Sequence, residues 1–81
     1  RRIARTLLNL AAQYGRPCPE GVRISIRFTH QDVAGIINTS RITTNKVMKR
    51  MEEEGILLKR EGRYILRALP ALERLARGEG Q

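Results

Sequence analysis

Apolar residues Ile3, Leu7, Leu10, Ala11 and Tyr14 recur at three- and four-residue intervals, the spacing that lines one face of a helix, and predict a helix over residues 2–14. Gly15 follows as a C-cap and Pro17 stands just beyond it. From Val22 the text alternates strictly, V-R-I-S-I-R-F, with Val22, Ile24, Ile26 and Phe28 on one face and Arg23, Ser25 and Arg27 on the other. That is the period of a half-buried strand. Thr29 then precedes Val33, Ala34 and Ile37 at helical spacing, and Asp32 stands where a capping-box acid would go, so a short helix is expected over residues 30–37. Asn38-Thr39-Ser40 interrupts it. Ser40 can cap a third helix that runs to about Glu54 and stops at Gly55. Two short helices around a tight polar turn are the outline of a helix-turn-helix. Ile56-Leu57-Leu58 and Tyr64-Ile65-Leu66 flank a turn containing Glu61-Gly62, which reads as a hairpin. Pro70 at an N1 position and Gly78 after Ala76-Arg77 bracket a last helix.

The order of elements predicts one small α+β domain over residues 1–81, with no internal repeat, linker or low-complexity segment. Eighty-one residues leave little room for a buried catalytic cleft. Lys and Arg number 16 against 8 Asp and Glu, a formal charge of +8, while 41% apolar content is enough for a folded core. That balance suits a polyanionic partner better than a disordered tail. Cys18 is the one cysteine, placed between Pro17 and Pro19 in what reads as a loop, so no internal disulfide and no thiolate metal cage can form. A cytoplasmic protein is expected, and no apolar stretch reaches the length of a membrane span or a signal segment. The chain opens on Arg1-Arg2 and runs straight into a helical pattern, which suggests a piece of a longer protein with a partner domain upstream.

Charge along the third helix changes the picture most. At about 100° per residue, Thr44, Val47, Met48 and Met51 share one arc, and Arg41, Ile42, Thr43, Asn45, Lys46, Lys49 and Arg50 share the other. A merely solvated face mixes both signs for solubility and for i,i+4 pairs. Here the acids, Glu52, Glu53 and Glu54, all come after Met51, which directs positive potential to the N-terminal half of the helix. Ile42 lies in the middle of the basic arc. In a DNA groove an aliphatic side chain can meet a thymine methyl, Lys46 can donate to guanine O6 and N7, and Asn45 can reach a base edge or a phosphate.

Signs of catalysis are sparse. His30 is the single histidine, with no cysteine or paired carboxylate at metal spacing, and reads as a capping or surface residue. No phosphate-cradling glycine loop and no nucleophile elbow occurs, and Ser25 and Ser40 are accounted for by a strand face and a helix cap. The chain is read as a binding domain, not an enzyme.

The stretches "RRIARTLLNLA", "FTHQDVAGIINTSRITTNKVMKRMEEEGIL" and "GRYIL", in that order, resemble the C-terminal winged helix-turn-helix domain of the Crp/Fnr bacterial transcription regulators over residues 1–77. The resemblance implies a fold of helix, strand, helix-turn-helix, β-hairpin wing and C-terminal helix. It implies double-stranded DNA as the partner, with residues 40–54 as the recognition helix and residues 56–67 as the wing. It assigns base reading to Arg41, Ile42 and Lys46, which Asn45 joins from the arc geometry. Phosphate contacts are implied for Ser40 and Thr43, for His30 and Gln31 beside the groove, and for Lys59, Arg60 and Arg63 on the wing, with Lys49 and Arg50 continuing the basic face. Three positions depart from the family: Ile42 stands where an acid is frequent, Lys46 where arginine is, and Asn38 in the turn where glycine is common. By the same resemblance the full-length regulator would be a homodimer able to engage RNA polymerase. No cofactor is expected in this chain, because an effector such as a cyclic nucleotide would bind an upstream domain. Two other readings stay open: a winged-helix protein–protein module, and non-specific nucleic-acid binding. The chain's only aromatics, Tyr14, Phe28 and Tyr64, argue against a stacking platform for single strands.

Overall fold

A computed structural model describes residues 2–78. Along the chain run α1 (Arg2–Tyr14), β1 (Gly15–Cys18), β2 (Gly21–Ile24), α2 (His30–Ile37), α3 (Arg41–Glu53), β3 (Leu57–Arg60), β4 (Arg63–Leu66) and α4 (Leu69–Ala76). This is the α+β winged helix-turn-helix arrangement expected from the pattern. Arg1 and residues 79–81, included in the expected domain, lie outside the described residues.

The helices end where local chemistry ends them. Thr29 and Asp32 form a reciprocal capping box: the Thr29 N–H donates to Asp32 Oδ2 at 2.8 Å, and the Asp32 N–H donates to Thr29 Oγ1 at 3.1 Å. Asn38 closes α2 in the left-handed region, φ 55° and ψ 50°, which asparagine tolerates better than most residues. Ser40 caps α3 by accepting from the Thr43 N–H at 3.0 Å. At the far end Gly55, with φ 77°, turns the chain so that the Ile56 N–H reaches the Met51 carbonyl at 2.9 Å and the Gly55 N–H reaches Glu52 at 3.2 Å. These two bonds satisfy carbonyls that a helix end leaves open, and Met51 and Ile56 are both buried beside them. α4 begins at Leu69, so Pro70 stands one place further into its first turn than the expected N1.

The four strands pair antiparallel in the order β1-β2-β4-β3. Ile24, Leu57, Tyr64 and Leu66 turn inward against Leu7 of α1, Val33 of α2, Met48 of α3 and Leu72 of α4, forming the core. The wing turn is a two-residue loop whose central residues, Glu61 and Gly62, both have positive φ (56° and 81°), the handedness that matches twisted strands.

Two expectations about the first hairpin are corrected. Gly15, Arg16, Pro17 and Cys18, read as a helix cap and a loop, form an edge strand paired with residues 21–24. An edge strand accommodates a proline that a central strand would not. Gly15 is required there by space rather than by helix capping, since a Cβ would lie 2.2 Å from the Ala11 carbonyl oxygen. The alternating strand expected over Val22–Phe28 stops at Ile24. The Ser25 N–H and Oγ both donate to the Tyr14 carbonyl, at 2.9 and 2.7 Å, and draw the chain away from the sheet. Ile26 is consequently exposed at 36%, whereas Phe28 returns to the core beside Tyr64 with ring centroids 5.0 Å apart.

Candidate nucleic-acid interface

α2 and α3 pack on each other across the Asn38 turn, and this packing fixes which face of α3 is free. Thr44, Met48 and Met51 are buried and Val47 is half-buried, whereas Arg41, Ile42, Thr43, Asn45, Lys46, Lys49 and Arg50 are exposed. The expected division of the helix into an apolar and a basic arc is the observed one. Ile42 is 77% exposed, the most exposed of the large apolar side chains among the described residues. It therefore stands free among cations.

Beside the N-terminal half of α3, a shallow open concavity gathers His30 and Gln31 from the start of α2, Arg41 and Asn45 from α3, and Lys59 and Tyr64 from the wing. Five of those six were singled out from the sequence. Arg41 Nη1 donates to Gln31 Oε1 at 3.2 Å, which aligns two of the expected contacts side by side. Ser40 Oγ donates to Thr43 Oγ1 at 2.9 Å at the exposed start of α3, where unpaired backbone N–H groups favour an anion. Lys59 Nζ lies 5.4 Å from the centroid of the Tyr64 ring, within cation–π range.

Several expected side chains are already engaged within the protein. Arg50 pairs with Glu54 one turn on, at 3.1 Å, in a solvent-exposed ion pair. Arg63 Nε donates to the Ser25 carbonyl at 2.9 Å and ties the wing to the end of β2. Arg60 is bound to Glu20, and that hydrogen bond, more than any other influence, holds the Glu20 carboxyl below its usual range. Of the wing's three expected phosphate contacts, Lys59 is thus the one whose ammonium borders the concavity.

A polar chain behind the interface was not legible in the sequence. His30 Nδ1 lies 2.9 Å from Asn45 Oδ1, His30 Nε2 lies 3.2 Å from Glu52 Oε2, and the Tyr64 hydroxyl donates to the same Glu52 oxygen at 3.2 Å. Burial, together with the Glu52 charge and hydrogen bond, pushes the Tyr64 hydroxyl up to about 12. Glu52, read as one of three acids ending a helix, is a structural hub. No sequence signal marks it, because its partners lie 22 and 12 residues away.

Among the described residues no group of three or more His, Cys, Asp or Glu side chains is placed to hold a metal ion, and no helix is long and apolar enough to cross a membrane.

The family model of the Crp-like helix-turn-helix domain matches residues 1–75. The chain is similar to the cAMP-activated global transcriptional regulator CRP of Salmonella typhimurium, with 39% identity over 57 residues, covering 69% of this chain and 26% of that protein. It is likewise similar to the global nitrogen regulator of Synechocystis sp., with 30% identity over 56 residues, 69% of this chain and 25% of that protein. Among solved structures, a CRP-family transcriptional regulator from Thermus thermophilus superimposes with a TM-score of 0.78 at 29% identity, covering 98% of this chain and 40% of that one. The chain thus spans about a quarter of the length of the curated relatives it matches.

Proposed function

The chain belongs to the Crp-like helix-turn-helix family of the Crp/Fnr transcription regulators, and from that premise we propose that it is the output domain of a dimeric regulator, binding double-stranded DNA in a sequence-specific way. The observation that carries the reading is the segregated surface of α3: seven exposed polar, basic or aliphatic positions on one side and a buried stripe on the other. α3 enters the major groove, where Arg41, Ile42, Asn45 and Lys46 meet base edges. Ser40, Thr43, Lys49 and Arg50 flank them on phosphate, Gln31 and His30 approach from the start of α2, and Lys59, Arg60 and Arg63 approach from the wing. Arg60 must leave Glu20 to do so. Lys46 supplies a point charge rather than a planar fork, so its preference for guanine is softer than an arginine's would be. Two copies would span half-sites about 34 Å apart. An effector and the dimer contacts belong to a separate domain of the full-length protein, and RNA polymerase is its partner there.

The test is selection of binding sites from a randomised duplex pool, using the chain fused to a dimerising helix, at low and physiological salt. An enriched inverted repeat with half-sites one helical turn apart is expected. Binding that falls with salt and enriches nothing would reduce the surface to a phosphate binder. Absence of binding at either salt would turn the reading towards a protein partner.

A further inference from the structure

Ile42 is the one residue on the exposed arc of α3 whose side chain can make no hydrogen bond, and it is 77% exposed in the first turn of the helix. It adds nothing to the core, to which α3 contributes Met48 and Met51, with Val47 packed against them. Its neighbours on the helix surface are Asn45 and Lys46, three and four residues on. Arg41 precedes it in the chain and donates to Gln31 at 3.2 Å. Lys46 and Arg41 can only donate, whereas the Asn45 amide carries both a donor and an acceptor. The first acid of the helix, Glu52, lies about 15 Å further along its axis and receives the Tyr64 hydroxyl. No carboxylate of α3 therefore stands beside Ile42 to accept from a cytosine amino group, the contact by which an acid selects cytosine.

We propose that Ile42 makes this chain a reader of the pyrimidine C5-methyl group, so that 5-methylcytosine can replace thymine at the base pair it faces and unmethylated cytosine cannot. Thymine and 5-methylcytosine carry the same methyl at the same ring position, and differ beside it in O4, an acceptor, against the N4 amino group, a donor. An aliphatic side chain gains by taking the methyl out of water and has no polar atom with which to tell those two groups apart. The neighbouring side chains exclude neither base pair. Lys46 and Arg41 find acceptors in both, thymine O4 and adenine N7 in one, guanine O6 and N7 in the other, and Asn45 can turn either end of its amide outward. A site with cytosine at this position consequently binds more tightly once that cytosine is methylated. The inference rests on the reading that α3 meets base edges.

The experiment measures competition between duplexes that differ at a single pyrimidine, for the full chain and for Ile42→Ala. At each pyrimidine of the half-site, thymine is compared with deoxyuridine, which lacks the methyl, and 5-methylcytosine with cytosine. At one position the wild-type chain is expected to favour thymine over deoxyuridine by about fourfold, the effect of one methyl moved out of water, and 5-methylcytosine over cytosine by about the same factor. Ile42→Ala should bring both ratios there to about one and leave those at other positions unchanged. Its Tm should stay that of the wild-type chain, because the side chain it shortens lies outside the core. A preference for thymine over deoxyuridine with none for 5-methylcytosine over cytosine would overturn the inference, since the pyrimidine's polar edge would then decide the contact. Methyl ratios that survive in Ile42→Ala would overturn it by assigning the methyl to another residue. Base preference without a methyl effect at any position would overturn it while leaving the base-reading role of α3 in place. A chain with no base preference at all would remove that role itself, an outcome distinct from the other three.

Discussion

Thr44 and Asn45 are neighbours in sequence with opposite surroundings, and the contrast can be measured. Thr44 is fully buried at 0% exposure, and its Oγ1 has no hydrogen-bond partner among the described residues. Leaving a buried hydroxyl unpaired costs about 1–3 kcal/mol, and replacing it by an apolar group of the same shape recovers part of that. Valine has that shape and nearly the same helix propensity as threonine, so no backbone term offsets the gain. The low end of the range is appropriate, because a helical threonine retains dipolar contact with the carbonyls of its preceding turn. Thr44→Val should therefore stabilise the chain by about 1 kcal/mol, which for a domain of this size raises Tm by roughly 4–8 °C. Thr44→Ser keeps the hydroxyl and removes the methyl, and should destabilise by about 1 kcal/mol through lost burial and the cavity left behind. Thermal and urea unfolding followed by circular dichroism would read both signs, with duplex binding measured in parallel. Neither variant should change base preference, since the side chain points into the core. If Thr44→Val lowered Tm, the hydroxyl would be hydrogen-bonded in the folded chain. If it changed base preference, the assignment of the two arcs of α3 would be wrong.

Further predictions concern charge, backbone and pH. Glu20→Gln should free Arg60 from its partner and strengthen binding to all duplexes alike, because Arg60 no longer has to leave a carboxylate to reach phosphate; an unchanged affinity in a duplex titration would mean that Arg60 does not reach DNA. Glu61 occupies a left-handed position at φ 56° that disfavours most side chains, so Glu61→Asn should raise stability by about 0.5–1 kcal/mol in urea unfolding, and no gain would argue against the two-residue wing turn. The Tyr64 hydroxyl titrates at about 12, above its ordinary value of 10, so its contribution to stability is complete below pH 10 and is lost as pH rises towards 12. Tm should accordingly fall more steeply between pH 10 and 12 in the wild-type chain than in Tyr64→Phe, and parallel curves would show that the hydroxyl plays no such part.

Four helices, the helix-turn-helix, the wing hairpin and the two arcs of α3 follow from residues near one another in the chain. The capping box at Thr29, the left-handed turn at Asn38 and the stop at Gly55 are local events, decided by backbone groups and side chains within a few positions. The stripe of Thr44, Met48 and Met51 is legible for the same reason, since helical geometry alone assigns those residues to one side. Tertiary structure decided the rest. β1 looked like a break because glycine and proline report local preference, whereas its pairing with β2 is a non-local gain available at the edge of a sheet. The strand from Val22 ended at Ile24 because a carbonyl of α1 offered Ser25 a better partner than the sheet did. The attachment of Arg60 to Glu20 joins residues 40 apart, and the link from Asn45 through His30 and Glu52 to Tyr64 crosses α2, α3 and the wing. Charge pattern and helical period tell which side chains face outward, but a hydrogen bond also needs a donor and an acceptor within about 3 Å, and only the packing of elements distant in sequence brings these pairs that close.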